Sequence, residues 1–454
     1  MTAVKIGIVG AGSAAWSAVL IKDLCLTRGL SGSTISFMDI NKERLDMVYG
    51  LARRYMAEVK ADLKFEKTMD RREALRSADF VFNAALAGGH ENYEIQRGVA
   101  EKHGYYRGID SVDHNMVSDY YTIGAYNQLK LFLGVASDME EICPDAWLIQ
   151  TANPVFEGCT LLTRGSKLKV VGLCHGHLGY KQVAKVLGLD PKDITFQAVG
   201  FNHCIWMTDF RHKGENAYPL IDEWINTKAK AFWRVWKPKY HETDMSPAAV
   251  DMYRRFGVFP VGDTTRSGGW KYHTNLETKK RWYGPLGGFD SEIGWPMYLD
   301  DLRNIIDRMF RANSDPSVIL TKELPPVMSE ESHVPIIDAI VNDKEGVFQV
   351  NISNDGAISG IPDDVVVEIP AVVSGRGIQG VHVGELPKRL MLHVVIPRML
   401  RMEWALEAFL TGDRNVLTDM LLNDPRTRNS GQAEAVIEDI LALPFNKVMA
   451  EHYR

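Results

Sequence analysis

The stretch KIGIVGAGSAAW, Lys5–Trp16, decides the fold. An apolar run, KIGIV, passes directly into Gly10-Ala11-Gly12-Ser13-Ala14-Ala15, a GxGxx[G/A] pattern with Ala15 in the third place. In such a turn the first glycine permits a tight bend and the second lets the backbone approach a pyrophosphate. The small third residue lets the helix pack closely on the strand. The amides and dipole of the helix that follows favour phosphate. The pattern is informative because it follows a predicted strand and opens a predicted helix. The next apolar run, STISFMDI (33–40), carries Asp39 near its end. A carboxylate there accepts from a ribose 2′-OH and repels a 2′-phosphate, which predicts NAD rather than NADP. Gly10, Gly12, Ser13, Ala15 and Asp39 are therefore the candidate NAD-binding residues.

Outward from this loop, strand and helix alternate. KERLDMVYGLARRYMAEV (42–59) has helical apolar spacing, while ADFVFNAAL (78–86), AWLIQTANP (146–154) and LKVVGLC (168–174) are short apolar runs. Strands separated by helices predict a parallel, doubly wound α/β sheet with right-handed crossovers. Beyond about Phe201 the pattern changes. AFWRVWKPKYHETD (231–244) and SGGWKYHTNLETKKRWYGPLGGFD (267–290), rich in aromatics and, in the second, glycine, are expected to be loops. GVFQVNISNDGAISG (346–360) and DDVVVEIPAVV (363–373) are expected as antiparallel strands around turns. PRMLRMEWALEAFLTG (397–412), stopped by Gly412, and SGQAEAVIEDILALP (430–444) are expected helices. The expected organisation is a Rossmann-like domain over 1–200 and a mixed α+β domain over 201–454.

Composition narrows the function classes. The 454 residues are 45% hydrophobic and 24% charged, with a net charge of −6, so no basic excess points to nucleic acid or a membrane surface. No apolar run is long enough to span a bilayer, and the N-terminal stretch lacks a secretion-signal pattern. Five scattered cysteines, Cys25, Cys143, Cys159, Cys174 and Cys204, contain no CxxC pair. A disulfide framework or zinc knuckle is not expected, and a reducing, cytoplasmic setting is.

The polar residues that follow apolar runs mark the expected site, because ligands of open α/β sheets bind beyond the carboxyl ends of the strands. Asn153 follows AWLIQTA, Cys174 and His175 follow LKVVGL, and Asn202 and His203 follow the apolar run ending at Phe201. Cys174 with His203 could hold one cation. Two ligands are too few for a closed structural zinc site but enough for a catalytic site that substrate completes. Thiolate nucleophilic catalysis is the competing use of Cys174. His177 is expected to be structural or to support its neighbours. The segment 104–130 mixes Tyr, Asp, Asn, His and Arg before a helix, with Asp119 as either a helix-capping acid or a sugar-facing one. Asp263, in FPVGDTTR, taken alone has the character of a turn residue.

Together the segments GAGS, GYYRGIDSVDHNMVSDYYT, TANPVFEG, GLCHGHLG, VGFNHCIW, SPAAVDMYRRFG, VGDTTR and RMEWALEAFLTGD resemble those of the family 4 glycoside hydrolases, in order along nearly the whole chain. The resemblance implies a Rossmann-like domain and a second domain akin to that of lactate and malate dehydrogenases. It implies Cys174 and His203 as ligands of a divalent metal, usually manganese, His175 as proton donor, Asp263 as proton acceptor, and Asp119 and Asn153 as substrate-binding residues. The Cys-His-Gly-His form is most similar to the α-glucosidase branch, and related α-glucuronidases share Cys-His-Gly. For a glucuronide, Arg107, Arg266 and Lys271 are candidate cations for the C6 carboxylate. Homodimers or homotetramers acting on a small carbohydrate are implied as well.

Such enzymes depart from the usual two-carboxylate glycosidase mechanism and depend on NAD. The implied chemistry is hydride removal at C3, proton abstraction at C2, loss of the C1 leaving group, water addition and return of the hydride, with the metal acting as a Lewis acid. A thiolate ligand to a hard ion implies an easily lost metal and sensitivity to oxidation. Two other classes compete: an NAD-dependent hydroxyacid dehydrogenase, which would accumulate NADH, and a non-catalytic NAD-binding redox sensor switched by Cys174.

Overall fold

The computed structural model describes residues 2–107, 123–266 and 269–454. Six short strands form the N-terminal half: β1 (Lys5–Val9), β2 (Thr34–Met38), β3 (Lys64–Thr68), β4 (Phe80–Asn83), β5 (Trp147–Gln150) and β6 (Lys169–Gly172). They pair in parallel in the order β3-β2-β1-β4-β5-β6. This is the Rossmann order, with its switch point between β1 and β4. β1, β2 and β4 are buried almost throughout, as strands covered on both faces must be. β3, KFEKT, is largely exposed at the sheet edge, where charge discourages further pairing. It lacks the apolar run by which the other strands are legible.

The rest of the chain extends the same sheet. The added strands are β7 (Ile194–Phe201), β8 (Cys204–His212), β9 (Glu215–Asn216), β10 (Phe259–Pro260), β11 (Gly346–Ser353), β12 (Val366–Ser374) and β13 (Gly377–Gly380). β11 and β12 pair antiparallel, as their sequences predict, and β11 docks antiparallel on β6. β12 then carries the β7–β8 hairpin, so among the described residues thirteen strands form one mixed sheet.

Apolar residues cover both faces of this sheet. One face packs α1 (Ala14–Leu26), α2 (Lys42–Val59) and the helix His333–Asn342 around Ile8, Phe37 and Val350. The other packs the helices Tyr126–Ile142, Val155–Gly165, Ile396–Thr411 and Ser430–Leu441. The stop expected at Gly412 is realised with φ +68°. No helix among the described residues is long and apolar enough to cross a membrane.

The two segments expected to be loops contain helices, at Ala229–Val235 and Leu276–Tyr283. In the second, the Asn275 side chain caps the helix by accepting from the Thr278 amide at 2.8 Å, and Gly284 ends it with φ +82°. These local signals were hidden among glycines and aromatics. The first, seven residues long, is stabilised by packing: Phe232 and Trp233 lie edge-on to Trp224. Two further helices, Tyr218–Thr227 and Gly294–Ser314, were not anticipated.

Candidate active site

The glycine-rich turn lies at the switch point. Gly10 and Ala11 donate their amides to the Met38 carbonyl at 3.0 and 2.9 Å, which folds the chain sharply after β1. Gly10 has φ +87°, and a Cβ there would stand 2.5 Å from the Ala85 backbone. Gly12 donates to Asp39 Oδ2 at 2.7 Å, and a Cβ on it would meet that carboxylate at 2.6 Å. The Asp39 side chain therefore itself demands glycine at position 12, a reason beyond the phosphate approach. Asp39 Oδ1 also accepts from the Asn41 amide at 2.8 Å, which fixes the carboxylate. α1 begins after Ser13 with no side-chain cap and no acid in its first turn, so its first amides face outward for an anion. Ser13, Ala14 and Ala15 line a cavity of about 810 Å³ with Asn41, Arg44 and His90.

A second cavity of about 620 Å³ shares Ser13, His90 and Tyr298 with the first. Cys174 and His175 enter it from the end of β6, and Asn153 from the end of β5. Below Asn153, Asn83 Nδ2 donates to Gln150 Oε1 at 2.9 Å and Gln150 Nε2 donates to the Ala152 carbonyl at 2.7 Å. This buried amide pair holds the two strand ends together. His203 is the second residue of the two-residue turn of the β7–β8 hairpin and has φ +61°. Asp263 sits in the short helical turn Gly262–Arg266 after β10.

Glycines bring these distant segments together. Gly262 has φ +60°, and a Cβ there would be 2.2 Å from the Gly176 carbonyl oxygen. A Cβ on Gly179 would be 2.6 Å from the Gly262 nitrogen. The GLCHGHLG and VGDTTR turns thus touch backbone to backbone. Asp244 pins the junction by accepting from the Gly262 amide at 2.6 Å, and Thr264 Oγ1 accepts from the Ile205 amide at 2.7 Å. As a result one donor atom each of Cys174, His203 and Asp263 lies within 4.8 Å of the others. Asp263 Oδ2 is 2.9 Å from His203 Nε2, and Arg266 pairs with Oδ1 of the same carboxylate.

The charges are strongly coupled. Burial alone would raise the Asp263 carboxyl, but Arg266 and His203 outweigh it and hold it well below the usual carboxylate range. Glu331, 3.2 Å from His175 Nδ1, raises His175 to about 9. Burial raises Asp244 to about 7. Burial likewise raises Glu368, behind the hairpin turn, to about 7. His177 is not among the residues lining this cavity; its ring stacks on Phe196, and burial lowers it to about 4.

The structure thus gathers Asn153, Cys174, His175, His203 and Asp263 around one cavity. Asp119 lies outside the described residues. Of the three cations considered for a carboxylate, Arg266 lines the cavity, engaged with Asp263 and 4.2 Å over the Phe289 ring. Lys271 pairs with Asp251, and Arg107 lies 3.8 Å from Glu101. Sequence reasoning missed Glu331 and His333, which line the cavity from the segment before the helix His333–Asn342. It also missed the aromatic wall of Tyr240, Phe289 and Tyr298. The acidic and histidine residues of SEESH, 329–333, were a visible signal, but nothing in their spacing ties them to Cys174.

A Rossmann-ordered sheet, an uncapped helix start and a thiol–imidazole–carboxylate cluster in adjoining cavities define a nucleotide-type fold with a cation-ready site. The chain belongs to family 4 of the glycosyl hydrolases: the family model matches residues 5–189 and the model of its C-terminal domain residues 198–427. It is accordingly a glycosidase. It is 26% identical to an α-galactosidase of Bacillus subtilis over 97% of this chain and 96% of that protein. It is 27% identical to an α-glucosidase of Erwinia rhapontici over 93% and 94%. Its fold matches that of a 6-phospho-α-glucosidase from gut microorganisms, solved in complex with NAD and Mn²⁺, with a TM-score of 0.77 and 17% identity over 97% of this chain and 98% of that one.

Proposed function

We propose that this protein hydrolyses α-glucosides by redox elimination, with NAD and a divalent metal, manganese, as cofactors. The observation that carries the reading is the Cys174–His203–Asp263 cluster beside the cavity that adjoins the phosphate-type turn. A thiolate and an imidazole suit a divalent ion, and the Asp263 carboxylate stands beside them. The uncapped start of α1 suits a pyrophosphate, and Asp39 suits a ribose 2′-OH. When bound, NAD⁺ supplies reversible hydride acceptance at the sugar C3, and the divalent ion supplies Lewis acidity toward the sugar oxygens.

The remaining work falls to this chain's own side chains. Cys174 and His203 would hold the ion. Asp263, kept anionic by Arg266 and His203, accepts the C2 proton. His175, whose protonated form Glu331 favours, delivers its proton to the departing glycosidic oxygen. Asn153, with Asp119, orients the sugar hydroxyls, and Tyr240, Phe289 and Tyr298 present ring surface to the cavity.

The α-glucoside preference is supported by the Cys-His-Gly-His form of the motif and by the Erwinia rhapontici relative. It is also supported by Arg266, the one Arg or Lys among the described lining residues, being committed to Asp263. A glucuronide or sugar phosphate calls for a cation turned toward its anionic group. The test is a panel of nitrophenyl α-glucoside, α-galactoside and α-glucuronide assayed with NAD⁺, Mn²⁺ and thiol. The α-glucoside is expected to give the highest kcat/KM, by at least about tenfold; preference for another sugar would overturn the assignment. A homodimer or homotetramer is proposed as the working form. Exposed Leu392, Leu400, Leu410 and Leu422 in the C-terminal half support it.

A further inference from the structure

Glu331 lies 156 positions from His175 in the chain, yet its carboxylate bridges two histidines. Oε1 is 3.2 Å from His175 Nδ1, and Oε2 is 3.4 Å from His333 Nδ1. The two histidines differ in setting. His175 exposes 68% of its side chain, whereas His333 exposes 7% of its own. The His333 ring is wedged edge-on to Trp16 of α1 at 5.7 Å and lies 5.9 Å from Phe82 of β4. His333 is thus a buried post on the Rossmann half, His175 an exposed side chain at the cavity, and Glu331 joins them.

The segment carrying Glu331 is tied down independently. Ser329 donates its amide to Asp23 Oδ1 at 2.8 Å and its hydroxyl to Asp23 Oδ2. The Glu331 amide donates to Ser329 Oγ at 3.2 Å. Glu330 pairs with Lys181 of the helix that follows the GLCHGHLG motif. A surface acid would not need such bracing. A carboxylate that must meet one imidazole nitrogen does, because an imidazole is useful in proton transfer only in a fixed tautomer and orientation.

We propose that Glu331 is a positioning residue for proton transfer to the leaving group: it engages His175 through Nδ1, braced by His333, so that Nε2 of His175 is the proton-delivering atom. This rests on the reading of His175 as proton donor. In the step, the His175 Nε2–H bond breaks and its proton goes to the glycosidic oxygen as the C1–O bond breaks. The pair of the C2–H bond, whose proton Asp263 takes, becomes the C1–C2 π bond. The C1–O pair leaves on the oxygen. When water adds to C1, its hydroxyl oxygen bonds carbon, its proton restores His175, and Asp263 returns its proton to C2. Only the glycoside and water are consumed, and the cofactors are regenerated.

The test is leaving-group dependence in the NAD⁺- and Mn²⁺-supplemented enzyme. Nitrophenolate leaves without protonation, whereas methoxide does not. Glu331→Gln keeps shape and an acceptor but removes the charge, and is expected to lower kcat/KM on methyl α-glucoside about tenfold or more beyond any loss on nitrophenyl α-glucoside. Glu331→Asp should recover part of that difference. His175→Gln serves as the reference and should discriminate at least as steeply. If His175→Gln discriminates and Glu331→Gln loses equally on both substrates, Glu331 is structural and the proposal is overturned. If His175→Gln does not discriminate either, the reading of His175 as donor fails and takes the proposal with it. Circular dichroism of each variant against the parent protein separates misfolding from both results, and Glu331→Asp then carries the comparison should Glu331→Gln not fold.

Discussion

At the scale of single residues, Glu368 shows how burial sets chemistry. Its Oε2 accepts from Asn202 Nδ2 at 3.1 Å, and the side chain is fully enclosed. Burial lifts this carboxyl from 4.5 to about 7, with hydrogen bonds from Asn202 and Asn351 and the His203 charge opposing and Asp263 reinforcing the shift. Between these values the folded protein holds a proton that the unfolded chain has lost, so stability falls as pH rises from 4.5 to about 7 and is level above it. Glu368→Gln keeps the size of the side chain and leaves it neutral at every pH. Relative to the parent it should gain stability across that window, on the order of 3 kcal/mol at pH 7 and above. Urea unfolding at pH 5 and pH 8, without added metal, checks this; an equal difference at both would contradict it. Cys174, His175, Asn153 and His203 could be picked out in the sequence because each ends an apolar run. Glu368 and Glu331 could not, because their importance lies in what the fold sets opposite them.

At the scale of elements, turns matter more than strands. The parallel strands were legible as short apolar runs, and the GxGxxA turn as a spacing. The helices Leu276–Tyr283 and Gly294–Ser314 were not, since one is masked by flanking glycines and aromatics and the other buries only Gly294, Trp295 and Met309 fully. The contact between the Cys174 turn and the Asp263 turn depends on Gly262. Gly262→Ala would combine a left-handed backbone with a Cβ 2.2 Å from a carbonyl oxygen. It should cost about 3 kcal/mol of unfolding free energy and pull Asp263 from His203. Denaturant unfolding should show the loss, and calorimetric titration should show weakened Mn²⁺ binding. A variant as stable and as metal-competent as the parent would contradict the role assigned to this close approach.

For the whole molecule, one sheet serves two tasks. Its parallel half presents the phosphate-type turn at the switch point, and its antiparallel half supplies His203 and Asp263 from beyond β7 and after β10. The two adjoining cavities share Ser13, His90 and Tyr298, so the phosphate-type turn and the Cys174–His203–Asp263 cluster border one groove. The Rossmann order was legible because local patterns encode it. The joining of the halves was not, because β11 and β12 return from more than 150 residues downstream to lie beside β6. A hydrolase has no general need of a dinucleotide fold, so the account stands on the dependence of bond cleavage on the nucleotide. The most direct measurement is nitrophenol release from nitrophenyl α-glucoside by nucleotide-stripped protein with Mn²⁺, before and after catalytic NAD⁺ is added. The account predicts no release before the addition and sustained turnover without net NADH after it. Equal release in the absence of NAD⁺ would contradict it.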